Sequence, residues 1–158
     1  MKLLVAISQT PETTARIAFK DGGTAFDPTG VNFIMNPYDE WYSLVRALEL
    51  KEEKGGSVTV IHCGPVANEV TIRKALAIGA DDAIRVDMEP DSAYAVAQQI
   101  AAHATTAGYD IIFTGKETID YNGSLVAGMV AGLLNMPFIS HASKMVLNGD
   151  KAIVTRDI

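Results

Sequence analysis

The stretch best equipped for chemistry is Gly115-Lys116-Glu117-Thr118-Ile119-Asp120-Tyr121-Asn122-Gly123-Ser124-Leu125-Val126. It follows an apolar run, Tyr109–Thr114, and leads into another that Asn135-Met136-Pro137 halts. A strand, a loop and a helix in that order leave unpaired N–H groups and a positive dipole end where the helix begins. Such an end receives an anion, a phosphate above all. Gly123 and Ser124 allow close approach to the backbone, and no acid follows Ser124 in the first turn. The phosphate is therefore expected at Gly123–Val126. The plainer reading is a connecting loop with a helix cap, because this geometry recurs throughout parallel α/β folds.

Asn36-Pro37-Tyr38-Asp39-Glu40 opens another helix, with Asn36 as N-cap and Pro37 in the first helical position. Asp39 and Glu40 would repel a phosphate there, so this end suits a neutral base, a ribose or a cap alone. Gly115-Lys116 lacks the upstream glycine and following Ser/Thr of a Walker loop, which disfavours nucleotide hydrolysis. Cys63 reads as an inert packed thiol. His62, His103 and His141 are too scattered for zinc, and no Gly-x-Ser-x-Gly elbow occurs. Asp81-Asp82 reads as a turn and Lys51–Lys54 as a solvated helix end.

Four runs read as buried strands that would position these groups: Lys2–Ser8, Ser57–Cys63, Asp82–Val86 and Tyr109–Thr114. Between them, helical spacing predicts a helix from Asn36 to Gly55-Gly56 with Tyr38, Trp41, Val45 and Leu48 inward, Trp41 as core. A second is expected over about Ala67–Ile78 with Val70, Leu76 and Ala77 inward, closed by Gly79. A third covers Ser92–Ala107 with Ala95, Val96, Gln99 and Ile100 inward, closed by Gly108. A fourth covers about Ser124–Leu134. Alternating strands and helices predict a doubly wound, mostly parallel α/β sheet with right-handed crossovers. That is a Rossmann-like three-layer sandwich of the adenine-nucleotide-hydrolase kind. Ser143–Thr155 around Asn148-Gly149-Asp150 adds a C-terminal hairpin. The long connection through Asp21-Gly22-Gly23 and Asp27-Pro28-Thr29-Gly30 should carry a small excursion of its own.

The 158 residues fit one domain, and 13 basic against 19 acidic side chains give a net charge of −6. No basic cluster is present, so nucleic acid is not an expected partner. Apolar runs fall short of the ~20 residues needed to cross a bilayer. The N-terminus lacks a signal-peptide pattern, and a single cysteine suits a reducing compartment. A cytoplasmic location is expected. The end at Thr155-Arg156-Asp157-Ile158 reads as mid-strand, which raises the expectation of a truncated chain.

Several stretches lie in an order that resembles a known family: Leu4-Val5-Ala6, Met35–Glu40, Cys63-Gly64-Pro65, Ile72–Asp81, Gly115–Asp120 and Ala142-Ser143-Lys144. Together, over nearly the whole chain, they resemble the electron-transfer flavoprotein beta subunit. The resemblance implies an electron carrier without catalytic side chains, paired with an alpha subunit that holds the redox-active FAD and fed by flavin dehydrogenases. The beta subunit of that family buries an adenine nucleotide, AMP in most members and a second FAD in the electron-bifurcating ones. Carried over by position, the contacts fall at Ala6, Asn36, Pro37, Tyr38, Asp39, Cys63 and each residue from Gly115 to Val126. Where AMP-type members have Asn-Gln-Thr, this sequence has Ser124, Leu125 and Val126, which removes two polar phosphate donors. Bifurcating members tend to carry valine at the position of Val126, which points toward FAD. The other loop residues do not match theirs, and both ligands stay open. The family chain continues for roughly a further third, including the segment that docks on dehydrogenases, which leaves residues 1–158 as a single nucleotide-binding domain.

Two other readings compete. A free-standing adenine-nucleotide sensor of the universal-stress type shares the layout but expects a glycine-rich phosphate loop and a homodimer. An adenine-nucleotide-dependent ligase or hydrolase expects Ser-Gly-Gly-x-Asp after the first strand, where Ser8-Gln9-Thr10-Pro11 stands.

Overall fold

Strands that are apolar on both faces need cover on both sides of a sheet, and the computed structural model, which describes Met1–Ile158, provides it. In chain order the first half comprises β1 (Lys2–Ala6), β2 (Gln9–Pro11), β3 (Phe19–Lys20), β4 (Ala25–Phe26), β5 (Phe33–Met35), α1 (Asp39–Lys54) and β6 (Ser57–Cys63). The second comprises α2 (Glu69–Ile78), β7 (Asp82–Val86), α3 (Ala93–Ala107), β8 (Ile111–Phe113), α4 (Val126–Leu134), β9 (Ala142–Asn148) and β10 (Lys151–Arg156). The main sheet is parallel, in the order β7-β6-β1-β8. Leu3, Val5, Val58 and Val60 form one core with Leu44, Ala47 and Leu50 of α1 and Ile72 and Ala75 of α2. Leu4, Ala6, Ile61 and Cys63 form the other with Ala97, Ile100 and Ala104 of α3 and Val130 of α4. Two helices therefore cover each face of the sheet, and the fold is the doubly wound α/β sandwich expected. No helix is long and apolar enough to cross a membrane.

β6 and β7 have the expected bounds. β8 is shorter than Tyr109–Thr114, because only Leu3, Leu4 and Val5 stand opposite it. Asp110 closes that edge instead, its carboxylate accepting the Lys2 N–H at 2.7 Å while its own N–H donates to the Lys2 carbonyl at 2.9 Å.

The helix stops follow the sequence, but several inward faces do not. α1 buries Glu40, Leu44, Ala47 and Leu50, and leaves Tyr38 63% and Trp41 45% exposed. α2 buries Thr71, Ile72 and Ala75, whereas Val70 and Leu76 face out. α3 buries Ala97, Ile100, Ala101 and Ala104, with Gln99 exposed. In each case the buried stripe mixes one or two large aliphatic side chains with alanine or a polar residue. The Ser92 hydroxyl caps α3 by accepting the Ala95 N–H at 3.2 Å. Gly55-Gly56, Gly79, Gly108 and Asn135 end their helices in left-handed or otherwise positive-φ backbone. Asp81 is more than a turn: its carboxylate accepts from the Val58 N–H and pairs with Lys51 at 2.6 Å. Lys51 is thus engaged, not merely solvated.

The excursion between β1 and α1 consists of two short antiparallel ladders, β2 with β5 and β3 with β4. The hairpin forms as expected from β9 and β10. Met145 and Leu147 pack on the α1 side of the core, and the Arg46 guanidinium donates to the Met145 carbonyl at 3.2 Å.

Candidate functional site

The chain leaves β1 for β6 on one side, and β8 returns on the other, so the strand order reverses between β1 and β8. Crevices in open parallel sheets form at that reversal, beyond the carboxyl ends of the strands. Here the first turns of α1 fill its inner wall. The Glu40 carboxylate accepts both the backbone N–H and the hydroxyl of Ser8, which follows β1, the latter at 2.8 Å. On the β8 side Gly115 packs so tightly that a Cβ there would stand 2.8 Å from Glu40 Cγ and 3.2 Å from Asp39 Cβ. The Ser43 hydroxyl donates to the Thr114 carbonyl at 2.9 Å.

Asn36 is not the N-cap of α1. Its fully buried amide donates to the Glu117 carbonyl at 2.9 Å and accepts the Ile119 N–H at 3.1 Å, pairing the loop as a strand would. Asp39 accepts the Glu117 N–H at 3.1 Å. The N-cap position falls to Tyr38, whose φ of 63° and ψ of −88° close a γ-turn from the Pro37 carbonyl to the Asp39 N–H. That turn is rare and strained, and a non-glycine residue persists in it only where neighbours over-determine it. Both acids of this helix start are engaged by donors of the chain, Asp39 by the Glu117 N–H and Glu40 by Ser8.

The far wall is the start of α4. Its first internal bond runs from Met129 N–H to the Leu125 carbonyl, so the helix begins later than Ser124. The backbone N–H groups from Gly123 to Gly128 meet no acceptor within the chain. Gly123 has open space where a Cβ would point. These donors and the dipole behind them suit an anion. Glu117 sits at the rim, paired with Lys116 at 2.9 Å and accepting from the Ser124 hydroxyl at 3.4 Å. The Lys116 ammonium, chiefly, holds this carboxyl below its ordinary pKa. Ala6, Cys63 and Val126 meet in one apolar cluster with Met129 and Val130, a floor of small side chains beneath the crevice. Burial pushes the Cys63 thiol up to about 11, which makes it a packing group. His62 is likewise structural: its ring nitrogens pair with the Ile7 carbonyl and the Asn68 amide, both at 2.9 Å, and burial keeps it neutral.

The structure brings most of the expected contacts together: Asn36 and Asp39 against Glu117 and Ile119, and Ala6 and Cys63 beside Val126. Lys116, Thr118, Asp120, Asn122, Gly123, Ser124 and Leu125 lie on the connection from β8 to α4. Tyr121 points away, 86% exposed. Pro37 and Tyr38 line a different feature, a groove of about 410 Å³ on the outside of α1 with Ile34, Met35, Trp41, Tyr42 and Lys74. Trp41 belongs to that groove and not to the core. Sequence reasoning placed Ser8 at the strand end and read Glu40 only as a charge opposing phosphate; it missed the bond between them and the role of Ser43. The one available signal was an acid placed four residues before Leu44 on an otherwise apolar stripe.

The sheet and the donor-rich helix start at its reversal point place the chain among the doubly wound α/β domains. Comparison with known proteins narrows this. A family profile described as the electron transfer flavoprotein domain matches residues 24–158, and the chain belongs to that family. It is 36% identical to the electron transfer flavoprotein subunit beta of Thermoanaerobacterium thermosaccharolyticum, over 99% of this chain and 60% of that protein. The Bacillus subtilis and human subunits of that name are 33% and 35% identical over the whole chain, which covers 62% and 64% of their lengths. The chain thus spans about three fifths of these relatives.

Proposed function

We propose that this chain is the nucleotide-binding portion of an electron-transfer flavoprotein beta subunit, holding AMP or the adenylate half of a second FAD. In this reading it pairs with an FAD-bearing alpha subunit and carries electrons delivered by flavin dehydrogenases. It is a carrier component and not an enzyme. The observation that carries the reading is the row of unpaired N–H groups from Gly123 to Gly128, facing a loop that Asn36 and Asp39 hold in place. A nucleotide phosphate would rest on those amides and the Ser124 hydroxyl. The small residues Ala6 and Cys63 would leave room for the rest of the adenylate. With Leu125 and Val126 apolar, backbone donors do most of the work, which suits AMP and the pyrophosphate of FAD alike. A bound FAD would supply a second redox centre; AMP would serve structure alone. The single buried thiol fits a reducing, cytoplasmic setting.

Calorimetric titration with AMP, FAD and FMN tests the reading, FMN serving as a flavin without adenylate. The expected result is saturable binding of AMP, FAD or both, and none of FMN. A chain that binds neither adenine nucleotide overturns the proposal. Counting flavins in the complex with an alpha subunit separates the ligands: one FAD with AMP, or two FAD.

A further inference from the structure

Glu40 is a buried carboxyl group at this end of the sheet, and the proposed function leaves it without a role. Only 6% exposed, it reaches from α1 to both hydrogen-bonding groups of Ser8 while its Cγ packs against Gly115. It therefore bridges Ser8, just past β1, and Gly115, just past β8, the two strands that flank the reversal.

We propose that Glu40 is a positioning residue for the nucleotide crevice: its carboxyl group locks the end of β1 to α1 and thereby sets the spacing between Ser8, Gly115 and the loop beyond. The ligand half of this proposal rests on the nucleotide reading; the conformational half does not. Glu40 does this in its neutral form. Burial, first, pushes its carboxyl up to about 8, and the like charges of Asp39 and Asp120 push the same way, against the two Ser8 hydrogen bonds. Asp39 faces it from its own helix and Asp120 from the loop. β1 brings only Ser8, and Lys116, the cation beside Asp39, is already paired with Glu117. At pH 7 roughly nine molecules in ten hold it protonated. One oxygen then accepts the Ser8 N–H while the O–H of the other donates to Ser8 Oγ, so both links survive. Above pH 8 a buried negative charge appears beside Asp39 and Asp120, close to where an anion must enter, and it opposes the ligand, while the Ser8 bonds become charge-assisted and hold.

The test compares wild type with Glu40→Gln and Glu40→Ala in the full chain. The ¹⁵N–¹H resonance of Ser8 is followed without ligand from pH 6 to 9.5, and AMP and FAD titrations are run at pH 7 and pH 9. In wild type the Ser8 amide should titrate with a midpoint near 8. Nucleotide affinity should fall several-fold between the two pH values. Glu40→Gln, a neutral isostere, should abolish the Ser8 titration and keep the pH 7 affinity within about twofold. It should also remove the loss at pH 9. Glu40→Ala should weaken binding about tenfold or more. A flat Ser8 titration in wild type overturns the proposal, as does an alanine variant that folds and binds normally. So does a glutamine variant as weak as alanine at pH 7. If Glu40→Ala does not fold, the glutamine variant and the Ser8 resonance decide. A wild-type chain that binds neither nucleotide refutes the proposed function, and the Ser8 titration then decides Glu40 alone.

Discussion

Replacing Asn36 with alanine should loosen the loop from Glu117 to Ile119 and destabilise the whole domain. The wild-type side chain is fully buried and gives one hydrogen bond each way, to the Glu117 carbonyl at 2.9 Å and from the Ile119 N–H at 3.1 Å. Alanine removes both partners and leaves a cavity that only polar atoms line. Each unmet buried group costs about 1–3 kcal/mol. Glu117 and Ile119 retain some solvent access, so the lower half of that range applies to each. The sum is about 2–4 kcal/mol. In a domain of this size each kcal/mol moves Tm by about 2–4 °C, which places the expected fall at about 5–15 °C. Asn36→Asp separates shape from donor chemistry. It keeps the acceptor for Ile119 but sets an acid against the Glu117 carbonyl, beside Asp39 and Glu40. Burial raises the pKa of such an acid, so its stability should be closest to wild type in acid and should fall as pH rises through the raised value. Urea denaturation gives the free energies, and hydrogen exchange at the Ile119 amide reports the local bond. An alanine variant with Tm within about 1 °C of wild type and undiminished protection at Ile119 would refute the reasoning.

Further expectations follow from other contacts. Gly115→Ala forces a methyl group against Glu40 and Asp39, where a Cβ would stand 2.8 Å and 3.2 Å from their side chains. It should cost about 1–3 kcal/mol in urea denaturation, and an unchanged midpoint would show that the strand end gives way easily. Cys63, with its thiol pushed up to about 11 by burial, should be thiolate in about one molecule in a thousand at pH 8. A thiol reagent should label it only on unfolding, and rapid labelling of native protein would contradict the packed floor. The Lys51 hydrogen bond, then that of the Val58 N–H, holds Asp81 below its ordinary pKa. Its contribution is therefore present above pH 4 and lost as pH falls toward its lowered value. Wild type and Asp81→Asn should differ at pH 7 and converge as pH falls below the lowered value; a constant gap would assign the difference to something other than ionisation.

The sheet was legible because its strands are short, mostly apolar runs separated by helical spacing and turn residues. Ser57–Cys63 and Asp82–Val86 needed no adjustment. The helix stops were legible for a related reason, since Gly79, Gly108 and Asn135 accept backbone angles that other residues avoid. The helix faces were less so. Apolar periodicity favoured Tyr38, Trp41, Val45 and Leu48 in α1 because the competing stripe contains a glutamate, and acids are seldom buried. Glu40 is buried all the same, because Ser8, distant in sequence, supplies two donors to it. Asn36 escaped for the same reason. Its partners lie some 80 residues ahead, and local spacing carries no trace of them. The residues of the candidate site were legible as a loop and as a resemblance, but the braces that hold the loop were not.

The central place of β1 also bears on how the chain is made. Its partners on the two sides begin at Ser57 and Ile111, so this segment is synthesised long before it is enclosed on both edges. At about 5–20 residues per second, some 3–10 s separate the emergence of Cys63 from that of Phe113. Throughout that interval Leu3, Leu4 and Val5 present an open, apolar strand edge. Nascent-chain aggregation, and with it the demand for chaperones, should therefore peak in that window and subside once β8 closes the seam.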